Sequence, residues 1–244
     1  MVTALNLSGG KDSTALLLRL CELGRKPDHV VFFDGGWEFP QMESHLARLE
    51  RYCGLRIERV YPRRAGQDVS FDFLLANYAR VKGVMKGRRG YGWPHASRRW
   101  CTRTKIDALD RFHRAVKADA VYIGITADEP HRAKKKPGVE YPMIEWGWME
   151  RDCLAYCYQR GFDWGGLYRY FRRVSCWCCP LQRVDDLRAL RRHFPDLWQR
   201  LICMHEAIKT AGADARFMQG KTVPEWEERF RQESQQLTLG MVMA

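Results

Sequence analysis

A glycine turn close to the N-terminus constrains the fold more than any other feature of the chain. The segment "VTALNLSGGKDSTALLLRLCELG" (residues 2–24) passes from a short apolar run, through Ser8, Gly9 and Gly10, into apolar residues at helical spacing. This order predicts a buried strand, a tight turn and a helix. Glycine lets a ligand approach the backbone closely, and a helix N-terminus offers N–H groups to an anion. We therefore expect a phosphate-binding turn.

Two common phosphate-binding motifs do not fit this turn. A Walker A loop needs glycine where Leu5 stands and Ser or Thr where Asp12 follows the lysine. The dinucleotide pattern G-x-G-x-x-G is also absent from the turn. An ordinary strand–helix turn is the alternative interpretation, and the specificity of the full hexapeptide "SGGKDS" disfavours it.

The remaining periodicity predicts an α/β fold. Apolar, β-tolerant runs in "HVVFFD", "RIERVYP" and "AVYIGI" alternate with helical patterns, which is typical of right-handed crossovers and a mostly parallel sheet. After Ala127 strand-like runs become rare and helical patterns dominate. We therefore predict a nucleotide-binding α/β domain over residues 1–127 and a helical C-terminal lobe over residues 128–244.

Charge favours a polyanionic partner. The 244 residues carry a formal net charge of +12, and the segment Arg80–Trp100 holds seven Lys and Arg and no acid. Tyr78, Tyr91 and Trp93 lie in or beside it, and alternating cations and rings suit phosphates and stacked bases. A solvated positive loop is the alternative. The sequence has no apolar run of about 20 residues, so we expect a cytoplasmic protein without a membrane partner.

The hexapeptide resembles the PP-loop signature of the N-type ATP pyrophosphatases. The residues that match this signature position by position are Ser8, Gly9, Gly10, Lys11, Asp12 and Ser13. In that superfamily the loop grips the pyrophosphate of a nucleotide, and the chemistry is adenylyl transfer. The resemblance implies the adenine-nucleotide alpha-hydrolase-like fold, ATP as ligand and Mg²⁺ as its counterion.

Two later segments resemble the phosphoadenosine phosphosulfate (PAPS) reductase-like branch of the superfamily. "VVFFDGGWEFPQ" resembles a segment that follows one helix after the loop in that branch, and "YIGITADEPHRA" resembles a further one. The matching residues that we expect to bind the nucleotide are Asp34, Gly36, Glu38, Gly124, Glu129 and Arg132. The resemblance implies catalytic roles for Lys11, Asp12 and Asp34.

The cysteines indicate a metal centre. Cys176 and Cys179 form the C-x-x-C of "SCWCCP", a spacing that lets two thiolates bind one metal. Resemblance to reductases of adenosine phosphosulfate (APS) adds Cys101 as a third ligand. The fourth site is either open or filled by Cys178, which lies between the other two cysteines, or by Cys203. A 4Fe–4S cluster is the leading interpretation; structural zinc and buried free thiols are the alternatives.

These features together predict an enzyme that activates a substrate with ATP for sulfur transfer. The basic segment favours nucleic acid, tRNA or DNA, as the acceptor, with sulfur from a donor protein. The first alternative is a PAPS or APS reductase that releases sulfite with a thioredoxin-like reductant. It needs a nucleophilic thiol in a C-terminal tail, and no cysteine follows Cys203. The second is a non-catalytic nucleotide- or nucleic-acid-binding module. The sequence leaves a homodimer open.

Overall fold

A five-stranded parallel sheet organises the N-terminal part of the chain. The computed structural model describes residues 1–81, 83 and 86–242, with side chains up to residue 236. The sheet has the order β3-β2-β1-β6-β7, and every neighbouring pair of strands is parallel. Its strands are β1 (Thr3–Leu7), β2 (His29–Phe33), β3 (Ile57–Val60), β6 (Ala120–Ile123) and β7 (Val139–Glu140). The predicted α/β fold is confirmed.

Helices connect and follow these strands. They are α1 (Lys11–Glu22), α2 (Gln41–Cys53), α3 (Trp100–Val116), α4 (Pro142–Glu145), α5 (Glu150–Gln159), α6 (Val184–His193), α7 (Pro195–Thr210) and α8 (Val223–Val242). A short antiparallel ladder, β4 (Arg63–Arg64) with β5 (Gln67–Asp68), follows β3. The predicted helical C-terminal region is confirmed. No helix among the described residues is long and apolar enough to cross a membrane.

The chain forms two compact units that interleave in sequence. The first contains residues 1–68 and 103–176, and the second contains residues 69–102 and 177–244. The predicted boundary at residue 127 came from composition and stays a prediction. The hydrophobic pattern of the sequence does not reveal that residues 69–102 belong with the C-terminal helices, because this association depends on tertiary packing.

The core of the first unit lies on the central strands. Leu5 of β1 pairs in register with Val30 of β2 and Tyr122 of β6, and Leu5 is fully buried. Parallel strands covered on both faces have continuous apolar sequences, and this explains the unbroken runs in β1 and β2. Helix α1 packs against β1 and against α5.

The connectivity of the sheet positions a ligand site. From β1 the chain continues to β2 and β3 on one side, and it later returns to β6 on the other side of β1. The strand order therefore reverses between β1 and β6. Open α/β sheets bind ligands in the crevice at the carboxyl ends of such strands. Ser8 follows β1 directly, and Gly124 follows β6.

Aromatic packing and ion pairs stabilise the second unit. Helix α7 packs against α6, α8 and a π-helical turn over Phe73–Asn77. Trp226 is fully buried, and its indole Nε1–H donates to the carbonyl of Met218 at 3.1 Å. Arg191 of α6 binds Glu227 of α8 through two hydrogen bonds of 2.8 and 2.7 Å. These contacts join the C-terminal helices to one another.

We expect Leu16→Ala to destabilise the first unit by about 2–5 kcal/mol, because this α1 side chain is fully buried and its loss leaves a cavity. Leu23→Ala is the matched control, since Leu23 follows the same helix with 42% of its surface exposed. Urea unfolding of both variants measures the difference. Equal losses of unfolding free energy would contradict this description of the core.

Candidate functional site

The glycine turn forms a compact loop at the end of β1. Gly9 has a φ of +76°, and Gly10 is the N-cap of α1. The Ser8 N–H donates to the Ser13 hydroxyl at 3.1 Å, and the Thr14 N–H donates to the Gly10 carbonyl at 3.0 Å. The loop backbone therefore folds around the first turn of α1, where helix N–H groups favour an anion.

Two aromatic side chains from a distant segment hold the loop. The Trp164 indole Nε1–H donates to the Gly9 carbonyl at 2.6 Å, and the Lys11 N–H donates to the Tyr168 hydroxyl at 2.8 Å. Sequence reasoning missed both residues. Adjacent Gly165 and Gly166, both at positive φ, are the local signal that this segment follows a special path.

The loop lysine is buried against a carboxylate. The Lys11 side chain is only 8% exposed, and its Nζ lies 3.0 Å from Glu150 Oε2 at the start of α5. Burial works to raise the pKa of Glu150, but the hydrogen bond and the charge of Lys11 outweigh it and hold the pKa below its usual value. The sequence analysis did not assign Glu150, although the carboxylate fixes the position of the ammonium group.

The pKa of Asp12, the residue after Lys11, is shifted in the opposite direction from that of Glu150. Burial raises the pKa of its carboxyl, and the nearby charges of Glu150 and Glu129 add to this effect, while Lys11 opposes it. Its Oδ1 lies 3.4 Å from the Lys11 Nζ. The site therefore holds a cation and an acid of raised pKa side by side.

An ion-pair chain connects the loop to two other predicted residues. Glu150 Oε1 lies 3.7 Å from Arg173 Nη2, which contacts Glu129 Oε1 at 3.0 Å. Glu129 also pairs with Arg132. The structure thus brings Glu129 and Arg132 into one network with Lys11. Arg173, which the sequence analysis did not select, supplies the link.

Gly124 contributes space to the site. A Cβ placed on this glycine would lie 3.0 Å from the Cα and backbone N of Ser13. A side chain would therefore separate the end of β6 from the loop. The structure gives Gly124 a packing role at the crevice, and its predicted contact with a nucleotide stays a prediction.

The segment after β2 supplies a second group of predicted residues. Asp34 accepts the Gly36 N–H at 3.0 Å on Oδ1 and lies 3.3 Å from Arg59 on Oδ2. The Glu38 backbone forms an antiparallel bridge with Cys176. Burial raises the pKa of the Glu38 carboxyl, and the Asp34 charge adds to this. Because β1 and β2 are parallel neighbours, Asp34 and Ser8 follow adjacent strand ends.

The cysteines predicted as metal ligands belong to both units: Cys176 to the first, and Cys101, Cys178, Cys179 and Cys203 to the second. Within the described ranges, no group of three or more His, Cys, Asp or Glu side chains is arranged to hold a metal ion. In the second unit, burial raises the pKa of Cys179, and nearby Cys101 adds to the increase. Cys178 is buried, and Cys203 is exposed on α7. The cluster therefore stays a prediction from the sequence.

A family profile and two known proteins are similar to this sequence. The profile of the phosphoadenosine phosphosulfate reductase domain matches residues 3–182. An uncharacterized protein of Methanocaldococcus jannaschii is 26% identical over 216 residues, covering 79% of this chain and 39% of that protein. An uncharacterized nin region protein of Escherichia phage lambda is 28% identical, covering 67% of this chain and 61% of that protein. The chain thus spans only part of the length of these relatives.

Solved structures with a related fold include two sulfur enzymes. A phosphoadenylyl-sulfate reductase from Candida auris, in a phosphate complex, has a TM-score of 0.48 and 14% identity, covering 69% of this chain and 77% of that one. A U34-tRNA thiolase from Methanococcus maripaludis, with its 4Fe–4S cluster, has a TM-score of 0.46 and 15% identity. It covers 87% of this chain and 71% of the thiolase.

We expect Gly9→Ala to weaken nucleotide binding at least tenfold, because a Cβ there would lie 2.4 Å from the Met42 Sδ and force the loop to move. Gly24→Ala is the control: Gly24 also has a positive φ, +68°, but nothing lies within 4 Å of its Cβ position. The control therefore carries the same backbone strain without the contact. Isothermal titration with ATP measures both, and equal affinities would refute the close packing of the loop.

His45 makes stability depend on pH. Its Nε2 lies 3.1 Å from the Thr14 hydroxyl, and its ring stacks on Trp164 at 4.7 Å. Burial lowers the pKa of His45 to about 3. The unfolded chain therefore binds the proton first, and stability falls as pH drops below about 6.5, by at most about 1.4 kcal/mol per pH unit.

His45→Gln should flatten the dependence of the unfolding free energy on pH between about 6.5 and 3. The exposed His131→Gln is the control and should leave it unchanged. Urea titrations across this pH range make the comparison. An unchanged slope in His45→Gln would show that His45 is not buried in its neutral form.

Proposed function

Because this chain belongs to the phosphoadenosine phosphosulfate reductase domain family, we propose that it binds ATP at the Ser8–Ser13 loop and transfers adenylyl to an acceptor for sulfur transfer. The single observation that carries the proposal is the buried ammonium group of Lys11, the first residue of α1. Its Nζ lies 3.0 Å from the carboxylate of Glu150. A fixed cation beside helix N–H groups is the arrangement that stabilises phosphate charge.

The first step is transfer of AMP. An acceptor oxygen bonds to the α-phosphorus of ATP, the bond to the bridging oxygen breaks, and pyrophosphate leaves with the negative charge. Lys11 and the N–H groups of the loop stabilise this charge as it develops. Glu150 orients Lys11, and Trp164 and Tyr168 keep the loop backbone in place.

The second step is sulfur delivery. The sulfur of hydrosulfide bonds to the activated carbon, the carbon–oxygen bond breaks, AMP leaves with the oxygen, and the proton of hydrosulfide goes to solvent. With hydrosulfide the exchange involves no oxidation or reduction. We propose nucleic acid as the acceptor because the chain carries a net charge of +12.

Two metal groups belong to the proposal as predictions. Mg²⁺ would be held by the carboxylate of Asp12, an oxygen ligand of the type it takes alongside phosphates, and would supply positive charge to the nucleotide. A 4Fe–4S cluster on Cys101, Cys176 and Cys179 has no matching ligand arrangement among the described residues. We therefore assign no step to the cluster.

Lys11→Met should reduce pyrophosphate release from ATP at least 100-fold, because the transition state loses its fixed cation. The assay contains bulk tRNA or DNA fragments and hydrosulfide. Lys209→Met, on the surface of α7 with its side chain 70% exposed, is the control and should keep full activity. Circular dichroism checks that both variants fold.

Other outcomes separate the alternatives. Sulfite release from a phosphosulfate with thioredoxin, without pyrophosphate from ATP, would show a reductase and overturn the proposal. Tight ATP binding with neither product would show a non-catalytic module. Iron and zinc analysis of the same anaerobically purified protein distinguishes a 4Fe–4S cluster, zinc and free thiols at the cysteines.

A further inference from the structure

We propose that a groove in the first unit, between the edge strand β3 and helix α3, binds the phosphates of a single nucleic-acid strand. The inference rests on the proposed function, because it assigns a binding surface to the nucleic-acid acceptor. The groove has a volume of about 580 Å³, within the usual range of ligand sites. Its cationic and aromatic lining residues are Arg59, Arg63, Arg111, Arg114, Tyr61 and Phe112, and Asp68 is its one acidic lining residue.

Two of the four arginines of the groove are not paired with a carboxylate in the described part of the chain. Four arginines and one acid, Asp68, line it, and the Asp68 Oδ1 lies 4.0 Å from the Arg63 Nε. Among the described residues, Arg111 and Arg114 form no ion pair. The Arg111 guanidinium donates to backbone carbonyls of Asp107 and Tyr61, each at 3.4 Å. These two side chains therefore keep donors and charge for phosphate oxygens.

Arg59 differs from the other arginines of the groove. Its guanidinium makes two hydrogen bonds to Glu43, of 2.8 and 2.5 Å, and a third to Asp34 at 3.3 Å. It is fixed in place, and its charge is offset. Arg59 is therefore the least available cation of the groove, and Arg63, Arg111 and Arg114 supply the charge for a ligand.

An aromatic ring lies among these cations. Tyr61 follows β3 directly and is 38% exposed, so that one part of its ring is available for contact. Base stacking on aromatic rings and phosphate contact with arginines together are the mode by which proteins hold single strands. A protein partner with acidic side chains would have no need of the ring.

The basic segment predicted from the sequence is less suited to this role. Its rings pack on one another, with Tyr78 and Tyr91 at 5.4 Å, and Trp93 is only 1% exposed. Arg80 donates to the Gly90 carbonyl, and Arg98 donates to the Tyr91 carbonyl. These contacts stabilise the second unit. Lys82, Val84 and Met85 of this segment lie outside the described residues.

The groove begins beside the candidate nucleotide site. Arg59 contacts Asp34, and the Asp34 N–H donates to the Val60 carbonyl at 2.9 Å. Asp34 follows β2, the neighbour of β1, which ends at the phosphate-binding loop. A strand bound along Tyr61 would therefore pass close to the residues after β2, where the proposed adenylyl transfer takes place.

Fluorescence anisotropy with labelled 12-nucleotide single-stranded RNA and DNA tests the groove. We expect Arg111→Ala/Arg114→Ala to weaken binding at least tenfold. Because two phosphate contacts are lost, the slope of log affinity against log salt should become shallower by about 1.4. Tyr61→Ala should weaken binding about tenfold through lost stacking, and its salt slope should stay unchanged.

Arg25→Ala/Arg51→Ala is the matched control. It removes the same charge from exposed positions, and Arg51 on α2 bonds to a backbone carbonyl four residues earlier, as Arg111 does. This control should bind like the unsubstituted chain. If both double variants lost the same affinity for the strand, net charge alone would explain the loss, and the inference would be overturned. The inference would also be overturned if polyglutamate or inorganic phosphate displaced the labelled strand as effectively as the unlabelled strand does.

ATP affinity, measured on the same preparations, separates this inference from the proposed function. The groove variants should bind ATP normally, because none of these side chains touches the loop. Loss of strand binding with intact ATP binding supports the groove even if adenylyl transfer fails. Normal strand binding by Arg111→Ala/Arg114→Ala would overturn the groove and leave the proposed function to its own assay.

Discussion

The burial of one ammonium group is the constraint on which the rest of the site depends. An unpaired charge shielded from water is very costly, so Lys11, with its side chain 8% exposed, requires a partner at short range. Glu150 is that partner, and it reaches the loop because α5 packs on α1. The fold must therefore bring residues 139 positions apart into contact before the loop has its observed form.

Close packing around the loop explains why glycines lie beside it. Gly9 faces Met42, and Gly124 faces the backbone of Ser13, both within distances that exclude a Cβ. The strand ends, α1 and α2 can therefore close on one crevice. The ion-pair chain through Arg173 extends the crevice toward Glu129. Most charges there are offset by a neighbour, so a bound nucleotide would meet a preformed arrangement that needs little reorganisation.

The arginines of this chain differ in whether their side chains are free to bind an anionic partner. Several arginines, including Arg80 and Arg98 of the basic segment and Arg191 of α6, are held by carbonyls or carboxylates. Arg111 and Arg114 are not paired with a carboxylate in the described part of the chain, and they line one groove at the edge of the sheet. Net charge therefore supports the class of partner that we propose, whereas pairing supports the place where we propose that it binds.

The sequence by itself determined β1, β2, β3, β6, most of the helices and the glycine loop, because these depend on local periodicity and on a contiguous hexapeptide; it did not reveal β7, which is two residues long. It also identified Glu129 and Arg132, through resemblance in a second short segment. Only the tertiary structure decided that Glu150, Trp164 and Tyr168 contact the loop and that Arg173 links Glu150 to Glu129, since no local pattern encodes contacts between residues that are distant in the chain. It likewise decided that residues 69–102 pack with the C-terminal helices, because burial of apolar surface joins segments wherever they lie in the chain.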